Sequence, residues 1–99
     1  MANAVITENT FNETNTANNQ VNAFIEATES SNEDEWTVAM IVGWDTQAVA
    51  LNKMVADIVE TVEWYEIDNS DVLDMVDSMQ SCLTAYDEFR AYVKECKGW

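Results

Sequence analysis

The sequence predicts an all-α protein: a small helical bundle of three to four helices, centred on a C-terminal antiparallel helical hairpin and preceded by an extended N-terminal arm. Two apolar stripes and the short turn between them carry the prediction. Over residues 71–97, Val72, Met79, Tyr86 and Val93 repeat every seven positions. So do Met75, Cys82, Phe89 and Cys96, and Val76 and Leu83 widen the stripe. Over residues 45–66, Ala48, Leu51, Met54, Val55, Ile58, Val62 and Tyr65 recur at helical spacing. This is the patterning of helices that bury one face in a bundle. Asp68-Asn69-Ser70 separates the stripes, and so short a connection makes its two helices antiparallel neighbours.

The elements follow in order. Residues 1–15 are rich in Asn and Thr (Asn3, Thr7, Asn9, Thr10, Asn12, Thr14, Asn15). Such side chains compete for backbone hydrogen bonds and weaken helix, so an extended or flexible arm is expected, with Val5, Ile6 and Phe11 docking onto the rest. Residues 16–99 then form a single helical domain. Ala17, Val21, Phe24, Ile25 and Thr28 predict a short helix over about 17–29. Trp36 to Trp44 alternates like a strand yet also fits a helix. Helix is preferred, because Asn32 can cap it, Glu33-Asp34-Glu35 fill a first turn with Glu35 at the capping-box position, and Gly43 suits its end. A lone strand would have only residues 2–7 as partner. Asp45 or Thr46 caps the next helix, which runs to about Glu66. The last runs from Asp71 to about Lys97, where Arg90, Lys94 and Lys97 complement its dipole.

Charge narrows the function. Nineteen Asp and Glu face four Lys and Arg, a net charge of −15 on 99 residues. Before Arg90 the only base is Lys53. Self-repulsion on this scale opposes a compact fold, and its natural counterpart is a cationic surface. Direct nucleic-acid binding is disfavoured, since that needs a basic footprint. The chain has no His, which removes the usual general base and the commonest metal ligand. Two Gly and no Pro leave no phosphate-cradling loop. Cys82 and Cys96 lie fourteen residues apart on one helix, about 21 Å at the helical rise, too far for a bridge. They are expected to be reduced core thiols. No apolar run is long enough to span a bilayer and no signal peptide is visible, so a cytoplasmic protein is expected. Asp68, Ser70, Asp71 and Asp74 lack the Gly and distal Glu of a calcium loop and are expected to cap the last helix. No enzyme activity, cofactor or resident metal is expected.

The acids are ordered. Asp57, Glu60, Glu63 and Glu66 recur every three residues, and Asp71, Asp74 and Asp77 do the same beyond the turn. Residues at this spacing are surface neighbours whose like charges cost about 0.2–0.5 kcal/mol per pair. Asp87 and Glu88 continue the acidic face. Trp64 stands among these carboxylates, beside the apolar stripe, and suits an interface anchor. A solvated polar face is the bland alternative. On these residues, together with size and charge, the last half of the chain resembles small acidic phage-encoded nucleic-acid mimics of the anti-restriction or anti-CRISPR type. That resemblance implies an inhibitor occupying the basic cleft of a nucleic-acid-binding enzyme of a host defence system. The chain is also similar to the small acidic immunity proteins of nuclease toxins. An immunity-type or adaptor protein that binds one basic partner without strict DNA mimicry is therefore the alternative. The partner-binding residues expected are Asp57, Glu60, Glu63, Trp64, Glu66, Asp71, Asp74, Asp77, Asp87 and Glu88. The aromatics Tyr86, Phe89, Tyr92 and Trp99 exceed what a small core needs, and suggest a homodimer.

Overall fold

The structure, a computed structural model, describes residues 3–99. Three long helices dominate: α1 (Asn3–Glu29), α2 (Val38–Trp64) and α3 (Ser70–Lys97). A single turn of 3₁₀-helix, Glu33–Glu35, lies between the first two. No strand occurs among the described residues. The helices pack into an elongated bundle of 55 × 19 × 18 Å, with α1 resting most extensively on α3.

The core is a seam with the same step on every helix. On α1 it is Thr10, Thr14, Ala17, Val21, Phe24 and Thr28; on α3 it is Val72, Val76, Met79, Leu83, Tyr86 and, further on, Val93. On α2 it is Ile41, Ala48, Leu51, Val55 and Ile58. Alternating steps of three and four average 3.5 residues, which keeps a stripe on one side of a helix over its whole length. Near the Trp36 end a smaller aromatic cluster closes the bundle. Trp36 packs edge-on against Phe89 at 5.8 Å, and its indole N–H donates to Ser31 Oγ at 2.8 Å.

The N-terminal arm is not extended over the described residues. Helix α1 begins at Asn3 and is continuous to Glu29, while Met1 and Ala2 lie outside the described residues. Low helix propensity costs at most about 0.7 kcal/mol per residue, and tertiary burial overrides it. Thr14 is fully buried because its hydroxyl donates to the Thr10 carbonyl at 2.6 Å, leaving only its methyl to the core. Thr28 does the same toward Ile25 O at 2.8 Å.

The region 33–44 is helical from Val38 onward, and is part of α2 rather than a helix of its own. The cap is Thr37, whose side chain accepts from the Met40 N–H, whereas Asn32 makes no side-chain cap bond. Gly43 ends nothing: it sits inside α2, where a Cβ would meet no atom within 4 Å. Neither Asp45 nor Thr46 caps a helix. Asp45 instead accepts two bonds from α3, from Tyr86 Oη at 2.8 Å and from Arg90 Nε at 2.7 Å. The Arg90 guanidinium holds the Asp45 carboxyl below its ordinary range, against the opposing pull of partial burial. Burial, followed by the bond to Asp45, pushes the Tyr86 phenol up. Among the thiols, Cys82 is half-buried and Cys96 exposed, so Cys96 is no core residue; both are free. Tyr65, counted with the α2 stripe, is 40% exposed, since the helix ends one residue earlier.

The end of α2 is closed by backbone. Ile67 N–H donates to Val62 O at 2.9 Å and Glu66 N–H to Glu63 O at 3.3 Å, which places Glu66 at φ 51. This is the Schellman arrangement, with Ile67 buried against the core. The same closure ends α3, where Gly98 takes the left-handed position at φ 72. Asn69 caps α3 by accepting from Val72 N–H at 3.1 Å.

Three outcomes follow from these contacts. Gly43→Ala is expected to stabilise the fold by about 0.5–1 kcal/mol, since Gly is costly inside a helix and a methyl there meets nothing. Glu66→Gly is expected to gain a similar amount, about 0.5–1 kcal/mol, by relieving a non-Gly residue at positive φ. Urea unfolding measures both; a loss of stability in either refutes the backbone account of that position. Asp45→Asn removes a negative charge from an over-charged chain, yet is expected to cost about 1 kcal/mol at neutral pH because the half-exposed ion pair with Arg90 is lost. A lowered carboxyl pKa stabilises the fold above the unfolded value and ceases to do so as pH falls through the folded one. The stability gap between wild type and Asp45→Asn should therefore close on acidification. Unfolding curves collected as a pH series read this directly.

Candidate partner-binding surface

Every acid except Asp45 is exposed. The seam explains this: no Asp or Glu occupies one of its fully buried positions, so folding alone pushes the charge outward. Asp57, Glu60, Glu63 and Trp64 project from the last two turns of α2, and Glu66 from the connection. Asp71, Asp74, Asp77, Asp87 and Glu88 belong to α3. All ten are exposed, Trp64 at 79%.

The α2 ladder does not form a straight row. A step of three residues falls about 60° short of a full turn, so the row winds around the helix. Asp57 lines the groove toward α1, beside Asn12, Glu13 and Thr16. Glu60 and Glu63 reach the other side, next to Gln80 of α3. Asp57, Glu60 and Trp64 meet again at a shallow depression with Thr61 and Tyr65. On α3, Asp77 and Glu88 share one outward face with Gln80, Ser81, Thr84 and Ala85. Asp87 is one residue, hence about 100° around the helix, from Glu88 and lies off that face.

Glu13 joins the acidic surface from α1, a residue the arm reading hid. The signal was present: Thr10, Thr14, Ala17, Val21, Phe24 and Thr28 step by four and three, and counting Thr as a seam residue reveals the helix that carries Glu13. Bases do little to neutralise the surface. Lys53 Nζ lies 3.4 Å from Asp57 Oδ2, with both side chains mostly exposed, a pair worth at most about 0.5 kcal/mol. Arg90 is taken up by Asp45. Between Glu60 and Asp77 there is no base at all.

The aromatic surplus is used mostly within the chain. Tyr86 is buried with its ring 4.9 Å from Phe24, and Phe89 sits between Trp36 and Trp44. Tyr92 lies edge-on to Trp36 at 6.2 Å but remains 55% exposed, and Trp99 is 42% exposed. No group of three or more His, Cys, Asp or Glu among the described residues is arranged to hold a metal ion. No helix among them is long and apolar enough to cross a membrane.

Uncompensated charge on the skin of the bundle makes stability salt-dependent. Raising salt from low to physiological strength is expected to raise the melting temperature by about 5 °C, a shift that corresponds to about 1 kcal/mol for a chain of this size. A thermal melt that does not move with salt would show that the acids are too far apart to repel. Compared with protein families, curated proteins and solved structures, the chain matches none.

Proposed function

We propose that this protein is an acidic inhibitor that presents nucleic-acid-like charge to the basic cleft of a nucleic-acid-binding enzyme of a host defence system, in the manner of phage anti-restriction and anti-CRISPR proteins acting in the host cytoplasm. One observation carries the reading. Fifteen net negative charges over 55 Å come to one per about 3.7 Å. Duplex DNA carries one phosphate charge per about 1.7 Å, or about 3.4 Å for each strand, so the rod has the charge density of one strand. The rod is narrow in both other directions, and its carboxylates lie outside. A cleft that accommodates nucleic acid by charge and width would accept such an object. The reading takes α2 and α3 as an antiparallel hairpin, supported by their five-residue connection and by the pairing of Asp45 with Tyr86 and Arg90 across it.

A second reading keeps the basic partner and drops the likeness to nucleic acid: an immunity-type or adaptor protein recognising one protein surface. The exposed pair Trp64 and Tyr65 beside Asp57 and Glu60 favours it, since a phosphate backbone has no counterpart to an aromatic anchor. Pulldown from a host lysate with and without competing DNA separates the two. Capture of a nuclease or helicase that DNA displaces supports the mimic; capture indifferent to DNA supports the adaptor.

Binding to the captured enzyme should be fast at low salt and slow as salt screens it. Reversing Asp57, Glu60, Glu63, Asp71, Asp74 and Asp77 to Lys should abolish binding while leaving the fold intact, because all six are exposed. Trp64→Ala should cost more than the loss of any single carboxylate, about 2 kcal/mol. Wild-type affinity in the sixfold variant would reduce the ladders to a solvated face and end the mimic reading.

A further inference from the structure

We infer that the groove between α1 and α2 receives an amphipathic helix of a partner protein, one whose basic side chains are gathered at a single end. Two adjoining depressions make up this groove, and they share Met54. Toward the middle of the bundle it is lined by Ala23 and Ala27 of α1 and by Ala50 and Leu51 of α2, with Gln20 and Gln47 beside them. No charged residue lines that half. Toward the end of α2 the floor continues as Met54 and Ile58, and here Glu13 enters from α1 and Asp57 from α2. At Asp57 and Thr61 the groove opens onto the depression that holds Glu60, Trp64 and Tyr65. The groove between α2 and α3 differs, since Asn52, Glu60, Glu63 and Gln80 line it.

This division specifies the occupant. Gln47 to Thr61 spans about 21 Å at the helical rise, the length of a four-turn helix. A seat between two packed helices suits a third, and exposed alanines leave room for its larger side chains. Met54 adapts to whichever side chains arrive. At the other end, carboxylates from two helices and the exposed rings of Trp64 and Tyr65 offer what a Lys or Arg takes. Glu13 makes no ion pair among the described residues. Lys53 lies 3.4 Å from Asp57, but that pair is exposed and weak enough for an incoming cation to displace. A second copy of this chain is disfavoured, because it would bring another −15 to a site already short of cations. The inference rests on the reading of a basic protein partner, and adds an apolar anchor that charge mimicry does not require.

Fluorescein-labelled helical peptides of about fifteen residues, titrated with the full chain at physiological salt, test it. All carry one leucine stripe and equal numbers of lysines. The lysines are clustered at the N-terminal end in one peptide, clustered at the C-terminal end in another, and spread along the polar face in a third. The better clustered peptide is expected to bind at micromolar concentrations, and the spread one about tenfold more weakly. Ala23→Gln with Ala50→Gln should weaken the clustered peptide about tenfold, with net charge and helical circular dichroism unchanged, since both positions are exposed. Glu13→Gln with Asp57→Asn should weaken it as much. Glu35→Gln with Glu95→Gln removes equal charge outside the groove and should change binding by less than about twofold. Equal affinity for clustered and spread peptides, or equal losses from the two carboxylate pairs, would reduce the contact to bulk charge and overturn the inference. So would an absence of binding, or binding indifferent to Ala23→Gln with Ala50→Gln. A wild type that dimerises, and becomes monomeric with those two substitutions, would give the groove to a second copy instead. The carboxylates of α3 lie outside the groove, so any of these failures leaves the proposed inhibition to its own test.

Discussion

Burial along a 3.5-residue seam has to hold together a chain whose surface repels itself, and nearly every other feature answers to that constraint. Each helix spends its apolar residues on the seam and leaves its acids outside, so the core is narrow and long rather than round. Folded proteins hold only a small surplus of stability over opposing terms of far greater size. Carboxylates spaced every three residues draw on that surplus without return from within the chain. The fold tolerates this because the helices are long: 27, 27 and 28 residues give the seam many layers.

One polar contact flanks the seam. Asp45 bonds both Tyr86 and Arg90, and these two α3 residues are one helical turn apart, so the carboxylate fits α2 to α3 at a single register. Apolar layers of similar size slide past one another at little cost, whereas a displaced Asp45 would leave the phenol and guanidinium unpaired in a half-buried site. A polar residue placed in the seam of a coiled coil selects register at some expense of stability, and this half-exposed pair at the flank of the seam is suited to the same use. A second irregularity, the orphaned Asn18 Oδ1 on α1, has no such compensation among the described residues.

The sequence made some of this legible and hid the rest for physical reasons. The stripe of α3 was plain because Val72, Met79, Tyr86 and Val93 are large and strictly periodic. The outward ladders were plain because charge is rarely buried. The first half of helix α1 was hidden because Thr10 and Thr14 read as polar; a threonine that returns its hydroxyl to a carbonyl one turn back, as Thr14 does, behaves as an apolar residue, and composition cannot tell the two states apart. Gly43 and Asp45 looked like a helix end and a new cap, and tertiary packing carried α2 straight through both. The acidic surface was legible as a set of residues but not as a shape. Its winding from the α1 groove to the α3 side, and the contribution of Glu13, depend on where the neighbouring helices lie.

The extensive packing of α1 on α3 has a consequence for how the chain is made. The first and last helices of the sequence are each other's main partners, so synthesis delivers them at opposite ends of its course. Until α3 has left the ribosome, the threonine-lined stripe of α1 has only α2 to rest on. Up to Asn69 the emerging chain holds thirteen acids against Lys53 alone. That charge keeps nascent copies apart while their apolar stripes are uncovered. Arg90, Lys94 and Lys97 belong to the second half of α3, so the bases that offset part of the charge come with the residues that close the bundle.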